Sequence, residues 1–200
     1  MTDDLDDAWI TLNSEIAPEK LHALGVVTYR WNAVEVALKS LLIGLTGAEF
    51  FNIWAIIHEM GDVAISTAVT EILLWSKFPP PIVKAVEFGL KLYEANRINR
   101  NQLTHFIPAN VEGSDIARLK GPRFKPETFP DSVEDLRRVA DDILELENYL
   151  SDLITNVYAP RNPGAILPPL PGIIPLPERL WKPPPPNPPK RKERPDKDRA

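Results

Sequence analysis

From Pro18 onward, apolar residues recur every three or four positions: Leu21, Leu24, Val27, Trp31, Val34, Leu38, Leu41, Leu42 and Leu45. That spacing predicts a long helix with one buried face. Pro18 suits a first helical position and Gly47 a stop. A second helix is expected over about 48–59, with Phe50, Phe51, Ile53, Trp54 and Ile57 as its apolar positions and Gly61 beyond its end. A third is expected over about 62–76, carrying Val63, Ile65, Val69, Ile72, Leu73 and Trp75. The tryptophans at 31, 54 and 75 fit core positions.

Pro79-Pro80-Pro81 breaks the chain, and Pro81 can open a fourth helix. That helix runs to about residue 106, because Pro108 pushes the residue before it out of helical geometry. Val83, Val86, Leu90 and Tyr93 mark its inward face. Residues 107–130 hold prolines and glycines without a helical period and read as a long ordered loop with room for a short hairpin. The fifth helix has the clearest signature. Asp131 with Glu134, or Ser132 with Asp135, can cap its start. Leu136, Val139, Ile143, Leu146, Leu150, Leu153 and Val157 then form a heptad seam, suited to one partner helix or to a second copy of itself.

The reading is an all-α bundle of about five helices over 14–158, preceded by an acidic leader, 1–13, and followed by a proline-rich tail, 159–200. Composition sharpens the last boundary. Of the 22 prolines, fourteen fall in the tail and eight before it. Such a tail favours polyproline II and cannot bury enough surface to fold alone, so it is expected to be disordered. Charge divides at the same place. The tail has nine basic and four acidic residues, a net +5, which leaves −10 on the rest of a chain whose total is −5. An acidic body argues against a broad nucleic-acid-coating face but leaves room for a small, locally basic site.

The chain has no cysteine, which removes disulfides, thiol catalysis and cysteine-bound metal. The acidic start lacks the pattern of a signal peptide. No uncharged apolar run approaches the roughly 18 residues of a membrane span. A cytoplasmic location is the expectation.

Candidate chemistry concentrates at the end of the fourth helix, in Arg100-Asn101-Gln102-Leu103-Thr104-His105. Continuing the inward face beyond Tyr93 by threes and fours leads to Arg97, then Arg100 or Asn101, then Thr104. An apolar stripe thus turns cationic while still pointing inward, which is costly unless the guanidinium groups are paired or face a cleft. Two readings follow. The arginines make buried ion pairs, with Glu35, one turn beyond Trp31, as the best partner, and His105 caps the helix end. Alternatively, the cluster of Arg100, Asn101 and His105 faces a cleft, where it can bind a phosphate, orient a ribose and exchange a proton near neutral pH.

An arginine, an asparagine, three further residues and a histidine, late in a long helix of an all-α bundle, resembles the HEPN domains of prokaryotic toxin–antitoxin, abortive-infection and CRISPR-associated ribonucleases. Arg100, Asn101 and His105 carry the match, with a gap at the short end of the family's range, and the bundle over 14–158 matches in size. The tail lies outside the family pattern. The resemblance implies metal-independent RNA cleavage in which the substrate's own 2′-hydroxyl attacks the adjacent phosphate. It implies catalytic roles for Arg100 and His105, supporting roles for Asn101 and Arg97, no cofactor and no metal. RNA, a second copy of the chain and an antitoxin are the implied partners. A non-catalytic helical dimer, with a structural Arg–His cluster and a tail that recruits a partner, is the alternative.

His22 and His58 stand in no ligand pattern and read as surface or half-buried histidines. Residues 182–188 contain the basic PxxP pattern that aromatic grooves bind, although a solubilising spacer has the same composition. Leu176, Leu180 and Trp181 are the tail residues able to dock on the body.

Overall fold

A computed structural model describes residues 16–104, 107–111, 114–120, 125–128, 132–158 and 168–180, with 107–111, 114–120 and 125–128 described as backbone alone. The described residues form five helices, α1 (Pro18–Thr46), α2 (Phe50–Ile57), α3 (Asp62–Trp75), α4 (Pro80–Thr104) and α5 (Val133–Tyr158). Between α4 and α5 run three short strands, β1 (Ile107–Val111), β2 (Ser114–Lys120) and β3 (Lys125–Thr128). The helical bundle is as the periodicity predicts. The acidic leader and residues 181–200, with Trp181 and the PxxP run, lie outside the described residues.

Pro18 opens α1 at a position where its missing N–H would have no helical partner. Gly47 ends the helix at φ 74°, left-handed backbone that a side chain would strain. Between them Ala23, Val27, Trp31, Val34, Leu38 and Leu41 form the buried line, and α1 packs along α5 as the main contact of the bundle. The α5 seam from Leu136 to Val157 is buried within this one chain, so it is spent on α1 and α4 and offers no surface to a second copy. Ser132 starts α5: its Oγ accepts the Asp135 N–H at 3.1 Å and donates to Asp135 Oδ2 at 2.7 Å. The competing cap residue Asp131 lies outside the described residues.

Helix α4 approaches α5 closely at Gly89, where an added Cβ would lie 3.2 Å from the Tyr149 ring. The Tyr149 hydroxyl donates to the Ala85 carbonyl at 2.9 Å, which fixes that ring across the gap.

Two expectations fail in α2 and α3. Trp75 is 85% exposed, as is Phe51. The buried line of α3 is Ile65, Val69 and Leu73. Trp75 follows Leu73 by two positions, about 200° around a helix of 3.6 residues per turn, and so faces away. In α2 only Ile57 is buried, and Phe50 instead stacks on the half-buried Trp54 at 5.4 Å between ring centres.

The segment read as a loop contains an antiparallel sheet in the order β1-β2-β3. Ile107 faces Ala117, and Arg118 faces Glu127, with an irregularity between Pro108 and Val111. Pro108 and Pro126, which argued for loop, fall on the two outer strands, the positions in a sheet where proline is tolerated.

Residues 168–180 take no regular structure but lie against the bundle. Leu180 is 4% exposed and joins the core, with Leu170 and Ile174 half-buried beside it. Over these residues the tail is anchored, through Leu180 among the residues able to dock, because prolines lower the entropy of the free chain while widely spaced leucines and isoleucines still find apolar seats. The rest of 159–200 lies outside the described residues. No described helix is long and apolar enough to cross a membrane.

Candidate functional site

The second half of α4 carries two parallel stripes. The fully buried one runs Val86, Gly89, Tyr93, Asn96, Asn99 and Leu103. It does turn polar, as the sequence implies, but through neutral amides. Arg97, Arg100 and Thr104 lie beside it, half-buried. Both stripes continue from Tyr93 at legal helical spacing, and the cheaper group takes the interior, since burying an amide costs far less than burying a charge. Asn96 donates to the Leu92 carbonyl at 3.1 Å while its own Oδ1 is buried without a partner, as is Gln102 Oε1.

Arg100 is held on two sides. Its Cζ stands 5.4 Å from the centre of the Trp31 ring, and its Nη1 donates to Asn101 Oδ1 at 2.9 Å. Its Nε is buried and unpartnered. Trp31 is fixed in turn. Its ring packs against Tyr93 at 5.3 Å, and its indole N–H donates to Glu35 Oε1 at 2.7 Å. The Tyr93 hydroxyl donates at 3.0 Å to Asp62 Oδ2, and Asp62 Oδ1 accepts the Val63 N–H at 2.8 Å where α3 begins. Burial, reinforced by the Asp62 carboxylate, pushes the Tyr93 phenol far above its ordinary range. It therefore stays a neutral donor at every physiological pH.

These side chains border a cavity of about 210 Å³ lined by Glu35, Leu38, Lys39, Asp62, Ile65 and Arg100, among others. Lys39 donates to the His58 carbonyl at 2.8 Å. Two cations thus meet two carboxylates, so the cavity is polar and balanced in charge.

The expected pairing of Glu35 with an arginine does not form. Arg97 grips Glu94 instead, with Nε to Oε2 at 2.7 Å and Nη2 to Oε1 at 2.9 Å. Glu94 lies three positions earlier on the same helix surface and needs no tertiary fit. That bond is the main reason the Arg97 guanidinium holds its proton even more firmly than usual. Glu35 is engaged by Trp31 and shares the cavity with Arg100 without an ion pair between them. Asn101 orients Arg100. His105 lies outside the described residues.

His22 and His58 are exposed, and among the described residues no group of three potential ligands is placed to hold a metal. The sequence reading missed Asp62, Lys39 and Asn99. Asp62 had one visible signal, an acid at the start of a helix just after Gly61, but its bond to Tyr93 crosses 31 positions. Comparison with family models, with curated proteins and with solved structures gives no match to this chain.

Proposed function

We propose that the end of α4 is the phosphate-handling part of a metal-independent endoribonuclease site of HEPN type, acting in a toxin–antitoxin or phage-defence setting. The observation that supports this reading is the state of Arg100. It is positioned by Trp31 and Asn101, it lines an open cavity, and no carboxylate of the described residues forms an ion pair with it. A purely structural arginine at this depth is normally neutralised by a partner. A guanidinium held in place and left charged suits a phosphate that arrives from outside.

In this reading the ribose 2′-hydroxyl attacks the adjacent phosphorus and the bond to the 5′-oxygen of the next nucleotide breaks. The products are a 2′,3′-cyclic phosphate and a 5′-hydroxyl end. His105 removes the proton from the attacking hydroxyl or supplies one to the leaving oxygen. Arg100 stabilises the charge that grows on the phosphate oxygens. Asn101 keeps Arg100 aimed, and a second copy of the chain completes the cleft. Purified protein, Arg100→Ala and His105→Ala, incubated with RNA in EDTA with product ends mapped, test it. Cleavage to cyclic ends by the wild type, lost in both helical variants, supports the reading; cleavage untouched by His105→Ala refutes it.

A second reading has its own support. Glu35 and Asp62 offset Lys39 and Arg100 in the cavity, while Phe51, Ile56, Leu74 and Trp75 stand exposed on α2 and α3. Exposed large apolar side chains commonly serve partner binding. On that reading the protein is a non-catalytic helical interaction module, and the same RNA assay stays blank for the wild type.

A further inference from the structure

Segment 168–180 has prolines at 168, 169, 171, 175 and 177. With so few N–H groups it cannot join a helix or a sheet interior, yet it has a defined seat between α4 and α5. Pro171 and Ile174 lie beside Tyr149 and Asp152 of α5. Leu176 and Arg179 lie beside Leu90 and Ile98 of α4. The segment then ends on Asn99, whose Nδ2 donates to the Glu178 carbonyl at 2.8 Å while its Oδ1 accepts the Leu180 N–H at 3.1 Å. A side-chain amide presents one donor and one acceptor on a single plane. Here it pairs with a C=O and an N–H two residues apart, as a neighbouring strand would. Beside this pairing, the Leu180 side chain enters the core.

We infer that the α4–α5 groove is a peptide-recognition groove, reading the backbone through Asn99 and one side chain through the Leu180 socket, and that residues 168–180 occupy it as a releasable clasp. Main-chain bonds for affinity with a pocket for one side chain for specificity is a general way of binding extended peptides. Release is built into the distribution of contacts. The hydrogen bonds gather at the Asn99–Leu180 end, whereas Ile173 is 86% exposed and Leu176 half exposed. Open cavities of about 320 and 460 Å³ border the segment at 171–174 and at 176–179.

The clasp has a consequence for α4. Asn96 and Gln102 each keep a buried oxygen without a partner, but both ends of Asn99 are satisfied, and the clasp satisfies them. Undocking would break both of these bonds and open the Leu180 socket to water in the same two turns. Those turns carry Arg97, Arg100 and Asn101, so occupancy of the groove sets the order of the helix end that bears the candidate site. The groove takes an extended, proline-spaced peptide with a leucine whose N–H is free to donate.

Hydrogen exchange on the full-length protein, resolved by residue, tests this together with binding of a synthetic peptide of residues 168–180. In the wild type, the Leu180 amide exchanges at least about tenfold more slowly than the exposed Arg179 amide. In Leu180→Glu, amides 101–104 exchange about tenfold faster while those of mid-α5 do not change. The peptide binds the Leu180→Glu protein at least about tenfold more tightly than the wild type, where the tethered segment competes. Ile173→Ala changes none of these readings. The milder Leu180→Ala goes through the same measurements, so the result does not depend on one variant folding. Equal exchange of Leu180 and Arg179 in the wild type overturns the inference, as does a released segment with unchanged α4 exchange and no peptide binding. Neither measurement involves RNA, so this inference and the ribonuclease reading fail separately.

Discussion

The guanidinium carbon of Arg100 stands 5.4 Å from the centre of the Trp31 ring, and the same indole donates its N–H to Glu35. Trp31 thus keeps the cation and the carboxylate beside one cavity without letting them pair. The stack is a measurable interaction. Arg100→Ala should destabilise by about 1 kcal/mol, the scale of a half-desolvated cation over an aromatic face. Trp31→Ala should cost about 3–5 kcal/mol, because a fully buried indole is lost. A double-mutant cycle of Trp31→Leu with Arg100→Ala, followed by urea denaturation, should return a coupling of about 0.5–1 kcal/mol. Strict additivity would mean that the stack contributes nothing.

Trp75 offers the opposite case. At 85% exposure it packs on little, so Trp75→Ser should change stability by less than about 0.5 kcal/mol. Acrylamide should quench the Trp75 emission strongly and that of Trp31 weakly. A large stability loss on Trp75→Ser would mean that a partner or a second copy covers this face in solution.

The helices were legible because their apolar positions repeat, and the Leu136–Val157 seam is buried in full. What periodicity cannot do is choose between two equally spaced continuations. From Tyr93 the chain offers Arg97–Arg100–Thr104 and Asn96–Asn99–Leu103. Only the desolvation cost of charge against amide decides which one is buried. Nor could spacing show that Trp75 lies on the far side of α3, since an apolar residue at a helix end satisfies composition without satisfying phase. The sheet was hidden because its outer strands contain proline. Asp62 and Asn99 were invisible for another reason: their partners lie 31 and about 80 positions away, and nothing local marks them. Arg100 does line the cavity, with Asn101 bonded to it, whereas Arg97 is drawn off by Glu94 and Glu35 by Trp31.

The Tyr93–Asp62 bond should respond unequally to losing either partner. Tyr93→Phe leaves Asp62 half-exposed, where water replaces the lost donor, and should cost about 0.5–1.5 kcal/mol. Asp62→Ala strands a buried phenolic hydroxyl and removes the acceptor for the Val63 N–H as well. Its cost should be larger, about 1–3 kcal/mol. Equal losses by thermal or urea denaturation would show that the hydroxyl finds another partner.

Asp142 should make stability depend on pH. Burial, with Glu145, Asp141 and Glu178 nearby, raises its carboxyl above the usual range against the opposing pull of Arg138, and its Oδ2 is buried without a partner. A carboxyl raised in the folded state holds its proton more firmly there than in the unfolded chain. Its ionisation penalty is therefore absent below the unfolded pKa and complete above the folded one. Asp142→Asn removes that penalty, so it should stabilise the protein more at about pH 7 than at about pH 4. A gain that does not vary with pH would assign the effect to packing instead.

Gly89 tests the closest approach of α4 to α5. Alanine in a helix interior normally gains about 1 kcal/mol over glycine. Here the new Cβ would meet the Tyr149 ring at 3.2 Å, and that ring is pinned by its bond to the Ala85 carbonyl and by Phe88 at 5.6 Å. Overpacking of this kind costs about 1–3 kcal/mol, so Gly89→Ala should be net destabilising despite its better helix propensity. The pin can be tested separately. In a Tyr149→Phe background the ring loses its tether to Ala85 and can tilt, so the same Gly89→Ala change should cost less than in the wild type. If Gly89→Ala is equally unfavourable in both backgrounds, the backbone rather than the tyrosine sets the spacing. If it stabilises both, α4 and α5 stand further apart than 3.2 Å implies.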